Sequence, residues 1–506
     1  MIKVKKILII FLVFLLMCET LYASSLNQSD KKLLINYAKA TFEFMKYATN
    51  NKTFLPLDAL VWEDGNYSPS HTIPDIYSKH NYNTSPTNIG LYLSSIVSAY
   101  DFKFITKDQA ISMIKKTLNS IKKLKTYNYK GVKTTFLYNW YDTNSLGLGK
   151  WPTANGYKID GGNISSVDNG WYAAGLIVTK EAFKELEKDI NPILNGMKWD
   201  IFLRKDTKRL AVVIDPKTGE QIGEYGLIAT EPRIASYIGI IKGDLPKNHW
   251  WNIKRVFHVN YTKGEFMTKD STTFFEGYEE VDLFPESQEG KLYHIVPSWG
   301  GSMFEFLMPS LFVKERELGT KGLGLNNKVA VQIQIDWAKG NNYDLWGFSP
   351  CAVPSPKGYS EFGVPGSGVY NHDFYGNDLY GYSDKMLEYY GDIKQDTWAG
   401  DPVVTPYASF LALEYMPTEA LENIKKMDSK YKAFSSKYGF CDAINFKKKQ
   451  IHRAYLMLDN SMILLSLNNY LNNNAIKNRF HKQKNINIIE NLLKEEKMEV
   501  GISTKN

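Results

Sequence analysis

Ser165-Ser166-Val167-Asp168-Asn169-Gly170-Trp171-Tyr172-Ala173-Ala174-Gly175-Leu176 places a capping hydroxyl, a carboxylate and an indole at the start of an apolar run. Ser165 or Ser166 is positioned to cap the free N–H groups of a first helical turn, and Asp168 falls where the helix dipole favours an anion. The small residues Ala173, Ala174 and Gly175 allow a second helix to approach closely. Alone, this pattern describes a well-capped core helix. Its neighbours add the chemistry.

A chain of 506 residues suits one large barrel with insertions or two domains. Aromatics make up 14% of it, including 33 Tyr and 11 Trp, and many stand in polar, loop-like stretches where flat rings can serve as sugar platforms. Part of the net charge of +7 comes from the first six residues and the Lys-rich tail after Leu471, so nucleic-acid binding is not expected. Lys3 to Lys6 followed by Ile7 to Cys18 reads as an export signal, with an apolar segment too short for a membrane span and cleavage near Ala23. Leu16-Met17-Cys18 is a poor lipoprotein signal. The expected division is a signal at 1–23, one domain at 24–472 and a peripheral charged tail at 473–506. Only Cys351 and Cys441 remain in the mature chain, enough for one disulfide but not for a disulfide scaffold or a cysteine zinc cluster.

Helical spacing recurs along the chain. Leu26 to Asn50 carries Leu34, Tyr37, Ala38, Phe42 and Met45 on one face, and Thr84-Ser85-Pro86-Thr87 opens a second helix. A third runs from Thr106 to Leu124. Thr53 to Tyr82 is a long loop rich in Pro, Asp and aromatics, of a length that often serves function. Phe136 to Asp142 reads as a strand, and Lys208 to Glu224 as a hairpin turning at Asp215-Pro216-Lys217-Thr218-Gly219. Thr230 is placed to cap the helix of Glu231-Pro232-Arg233-Ile234, and further helices start near Gly301, Leu323, Thr405, Thr418 and Asp459. No solenoid-type repeat is found. An all-α fold follows: an (α/α)6 toroid with a few β-hairpins in its loops and helix N-termini facing a central cleft.

No nucleotide loop, G-x-S-x-G elbow or H-E-x-x-H motif occurs, and the eight His show no metal-ligand spacing, so neither cofactor nor metal is expected. What recurs is an acid beside an aromatic: Asp142 after Trp140, Asp168 before Trp171, Glu305 after Trp299, Asp336 before Trp337 and Asp401 after Trp398. Acetal cleavage needs a carboxylic acid to protonate the leaving oxygen, a carboxylate to activate water or attack carbon, and an apolar floor for the ring. Each such acid by itself is more simply a cap or an ion-pair member. Together they point to a sugar cleft and an oligo- or polysaccharide partner.

Several stretches, taken in order, resemble the glucoamylase-like domain found in cyclic β-1,2-glucan synthases and, more distantly, in family 144 β-1,2-glucanases. These are Ser165 to Leu176, Thr230 to Ile238, Ser298-Trp299-Gly300-Gly301-Ser302-Met303-Phe304-Glu305, Trp346-Gly347-Phe348-Ser349, Thr405 to Ser409 and Tyr438-Gly439-Phe440-Cys441-Asp442-Ala443. The resemblance covers roughly Thr84 to Tyr470 and implies an (α/α)6 barrel and an inverting hydrolase of a β-glucan, most simply β-1,2-linked. It places Glu231 as the general acid and Asp459, in Leu458-Asp459-Asn460-Ser461, as the base. Asp168 matches a substrate-contacting acid, and the substrate set is completed by Trp171, Trp140, Asp142, Arg233, Trp299, Glu305 and Trp346. Where relatives often carry Ser-Glu-Ser or Ser-Ala-Ser, this chain has Ser349-Pro350-Cys351, and Pro354 to Asp373 has the character of an insertion.

Three geometric expectations follow. The helices starting at Asp168, Glu231 and Asp459 should bring their N-termini to one pocket. Arg233 should face away from Glu231 or bind another acid, since a cation beside a general acid would strip its proton. The protein should be exported and monomeric, without a stable membrane span. Two other readings compete: a non-catalytic polysaccharide-binding protein of envelope glycan assembly, and a uronic-acid lyase, which would want a Tyr/His or Asn/His pair that the sequence does not offer.

Overall fold

The computed structural model describes residues 26–505 apart from 64, 71–81, 153–157, 256, 261–264, 269–277, 284–289, 355–358, 370–397 and 399–400. The predicted export signal lies outside the described residues. The chain is mainly helical. Its principal helices are α1 (Gln28–Tyr47), α2 (Pro86–Asp101), α3 (Lys107–Ile121), α4 (Ser166–Ala182), α5 (Arg233–Lys242), α6 (Met303–Leu307), α7 (Leu323–Gly340), α8 (Pro406–Ala412), α9 (Pro417–Ser429), α10 (Met457–Leu471), α11 (Ala475–Phe480) and α12 (Ile486–Glu495). Strands are short and pair only in antiparallel groups of two or three; those used below are β1 (Ala59–Glu63), β2 (Asn66–Ser70), β3 (Lys291–Ile295), β4 (Cys351–Ala352), β5 (Tyr359–Ser360), β6 (Ala454–Leu456) and β7 (Gly501–Thr504).

Six of the helices carry almost wholly buried sequences. α2 packs on α4, α4 on α5, α6 on α8, α8 on α10, and α10 returns to α2. Between α5 and α6 the link is made by Arg233, which donates to the carbonyls of Glu305 and Phe306 at 3.0 and 2.5 Å. The tightest contact is α2 against α4. A Cβ placed on Gly175 would lie 1.9 Å from the Gly90 carbonyl oxygen, and one on Gly90 would lie 2.5 Å from that of Trp171. The small-residue stripe after Trp171 therefore does what its composition implies: it lets two backbones touch.

Local signals placed the helix starts well. Ser165 accepts from the Asp168 N–H at 3.1 Å, Ser85 from that of Asn88 at 3.1 Å, and Thr106 and Gln109 form a capping box. Thr230 is an exception. Its hydroxyl donates to the Leu227 carbonyl instead, and α5 begins at Arg233 after a tight turn in which Arg233 and Ile234 donate to the carbonyls of Thr230 and Glu231. The predicted hairpin forms around Asp215, whose side chain accepts from the N–H groups of Lys217 and Thr218. Cys351 and Cys441 are buried free thiols, so the disulfide that their number permitted is not made.

The segment after Asn472, expected to be peripheral, is part of the body. Ile476, Phe480, Ile489, Leu492 and Leu493 are buried, and β7 completes a sheet with β3. Glu496 reaches the guanidinium of Arg255 with both side chains buried. Charged and amide residues fill much of this stretch, but its apolar residues keep helical spacing and face inward.

Candidate active site

The starts of these six buried helices carry most of the acids singled out in the sequence. Asp168, in the first turn of α4, accepts from the Thr87 hydroxyl in the first turn of α2 at 2.6 Å, and burial raises its pKa. Glu231 stands in the tight turn before α5. Burial first, then the charge of Glu305, lift its pKa to about 8. Glu361, just after β5, enters the same field: crowding by the surrounding protein and the charge of Glu305 raise it, and it in turn raises Glu231. Asp459, in the first turn of α10, is 3% exposed and is pushed far upward by burial and by neighbouring Asp442. Asp58 acts on Asp168, Asp442 and Asp459.

These influences close on themselves. Asp168 is linked through Asp58 to Asp459 and Asp442, and Tyr359 feels Asp459, Glu361 and Asp442 together. Glu361 and Glu231 both feel Glu305, and Tyr225 feels Glu231 and Asp168. The starts of the helices of Asp168, Glu231 and Asp459 therefore lie near one another. Asp58, Glu361 and Asp442 were not picked out as site residues. The first two lie in loops without a helix-start signature, although the Thr53 to Tyr82 loop and the insertion-like segment were both marked.

Glu305 has a different role from the one assigned to it. Its carboxylate accepts from the hydroxyls of Ser298 and Ser302 and from the N–H groups of Trp299, Gly300 and Ser302, at 2.8 to 3.1 Å. It is a capping-box residue saturated by donors. Burial raises its pKa, while the surrounding donors favour the anion. Glu305 fixes the 298–302 loop and supplies the charge that opposes the helix dipole at Glu231.

Arg233 is also not a substrate contact. At 2% exposure its guanidinium grips Glu315 with two hydrogen bonds of 2.7 and 2.8 Å and donates to three backbone carbonyls. The expected alternative holds: Arg233 binds another acid. Trp171 is likewise structural, buried against Phe312, and Trp346 lies in the main core, its carbonyl accepting from Asn423. Asp142 caps its own turn through bonds from Asn144 and Ser145. For Arg233, Trp171 and Trp346, neighbours on other elements, invisible in local spacing, decide the position. Trp140 and Trp299 stay partly exposed. Trp140 lies next to Asn139, whose side chain holds the Ser165 N–H, and Trp299 rests on Leu227 and Val369 near the Glu231 turn.

Residues 271–484 match the Glycoamylase family model, described as "Putative glucoamylase". The chain is 23% identical to the cyclic β-(1,2)-glucan synthase NdvB of Rhizobium meliloti over 619 aligned positions, an alignment that takes in 94% of this chain but only 19% of that protein. Among solved structures it is similar to the endo-β-1,2-glucanase of Chitinophaga pinensis, with a TM-score of 0.66, 14% identity, and coverage of 92% of this chain and 98% of the other. It is also similar to the endo-β-1,2-glucanase of Talaromyces funiculosus, with a TM-score of 0.64, 12% identity, and coverage of 94% and 89%. The family match agrees with the resemblance read from the motifs, and the structural likenesses show a shared fold.

Proposed function

For a chain whose residues 271–484 carry the glycoamylase signature, we propose an exported glycoside hydrolase that cleaves a β-glucan, β-1,2-linked, by inversion. In this reading the six helices form the inner ring of an (α/α)6 toroid, the N-terminal segment is the export signal, and the mature protein acts as a monomer. Glu231 is the general acid and Asp459 belongs to the base. Asp168 and Glu361 contact substrate hydroxyls, with Trp140 and Trp299 at the rim.

The observation that carries this reading is the state of Glu231. A helix start lowers a carboxyl pKa, whereas an acid catalyst must hold its proton near neutrality. Burial and the fixed charge of Glu305 reverse the dipole's effect, and the one nearby cation is turned onto Glu315. The names of the similar proteins support the linkage.

The test is chromatography of products after incubation with β-1,2-, β-1,3- and β-1,4-glucans. Cleavage of the β-1,2-glucan alone is expected, with turnover falling as pH rises through about 8, where Glu231 loses its proton. Glu231→Gln should lower turnover at least about 100-fold while leaving glucan binding largely intact. Normal turnover in that variant places the acid elsewhere. Binding of a glucan without cleavage by the native protein supports the polysaccharide-binding alternative.

A further inference from the structure

Asp442 and Asp459 come from different elements, the loop after Phe440 and the first turn of α10, yet their carboxyl groups come within reach of each other. Both are almost fully buried. One oxygen of Asp442 accepts from the Ala352 N–H on β4, and its other oxygen and both oxygens of Asp459 receive no donor from the described protein groups. A carboxylate is acceptor-only, so two ionised groups here would leave three buried oxygens without a donor while their charges repel. One hydrogen between them answers both. Among the described residues, the titratable groups that bear on the pair or feel its charge are Asp58, Cys351, Tyr359, Tyr407 and Cys441, with no Lys or Arg among them.

We propose that Asp442 and Asp459 hold a single proton between them and work as one base, with Asp442 the positioning residue that sets the proton state of Asp459. The proposal rests on the hydrolase reading above for its catalytic part and on the carboxyl geometry alone for the shared proton. During cleavage the glycosidic C–O bond breaks, its electron pair stays on the leaving oxygen, and that oxygen takes the Glu231 proton. Water bonds to the anomeric carbon and its surplus proton passes to the pair. Glu231 ends as an anion and the pair as two neutral acids, so total charge is conserved. Transfer of one proton from the pair back to Glu231 restores the starting state.

Infrared spectroscopy of the full chain at neutral pH tests the shared proton without substrate. It is done in a Glu231→Gln background, which removes that acid's own signal. Subtracting the spectrum of D442N or of D459N from that of this parent should each leave one carboxylic-acid carbonyl band that shifts in heavy water. A band that survives in D442N shows that Asp459 holds its proton unaided and overturns the proposal, as does the absence of the band from both differences. Should D442N not fold, as judged by its melting curve, D442S takes its place in the same subtraction. In the otherwise native enzyme, D442N should move the acid limb of the kcat/KM profile by at least about one pH unit. An unmoved limb refutes the positioning role. Failure of the native protein to cleave any glucan defeats the hydrolase reading while the infrared result still decides proton sharing.

Discussion

Replacing Glu315 by Gln tests the device that joins the two segments bearing Glu231 and Glu305. The Glu315 carboxylate receives two bonds from Arg233 and one each from Tyr237, Ser310 and Asn327, all between 2.7 and 3.0 Å. Glutamine keeps one acceptor oxygen and points an N–H2 group at donors on the other side. It also leaves the buried guanidinium without a counter-charge. Breaking a buried pair by removing one partner costs about 3–5 kcal/mol. With about 2 cal/mol/K of unfolding entropy per residue, a chain of this size loses about 1 °C of Tm per kcal/mol, so a fall of about 4 °C is expected by calorimetry. The pH dependence has a definite sign. Burial raises the Glu315 pKa, but Arg233 and the three neutral donors outweigh it and hold the carboxyl below its ordinary value of 4.5. Its stabilisation is therefore present above about pH 4.5 and lost as pH falls through the lower folded value, a slope that Glu315→Gln should flatten. Arg233→Met with Glu315→Leu should recover part of the stability but not the turnover, because the carbonyls of Thr230, Glu305 and Phe306 lose their common donor. A loss below about 1 kcal/mol for Glu315→Gln, or full turnover in the double variant, would refute the role assigned to this ion pair.

Two further outcomes follow from packing. Gly175→Ala should abolish soluble folded protein or lower Tm by many degrees, because its Cβ would overlap the Gly90 carbonyl; a variant melting within about 2 °C of the parent would show that α2 and α4 can separate cheaply. Ending the chain at Asn472 should cost several kcal/mol in urea unfolding, since it strands Arg255 without Glu496 and uncovers the β3 edge; a truncated protein of parental stability would return this segment to the periphery.

The acids at helix starts were legible because capping is local: Ser165 to Asp168 and Ser302 to Glu305 announce themselves within four residues. Which of those acids faces a cleft is not local. Glu305 and Glu231 differ in role because one has five donor groups around it and the other does not. Arg233 was grouped with the substrate contacts although its partner is 82 residues away. Trp171 carried the same ambiguity, since an indole after a cap serves a core or a cleft equally well, and Phe312 decides between them. The last segment was misjudged on charge, although the spacing of Ile476 and Phe480, then Ile489, Leu492 and Leu493, contained the signal of a buried face.

The joint between β1 and β6 has a consequence in time as well as in space. Ala59 pairs with Leu456, and the Met457 N–H donates to the Asp58 carbonyl, so residues almost four hundred positions apart lie side by side. Asp58 stands immediately before β1 and Asp459 three residues after the end of β6, so this seam brings the two acids near each other. A growing chain that has passed α5 and α6 already contains Glu231 and Glu305, whereas Asp459 comes beside Asp58 only when this seam forms. Bringing such distant strands together is slow in loop-closure terms, so the seam is expected to form late in folding.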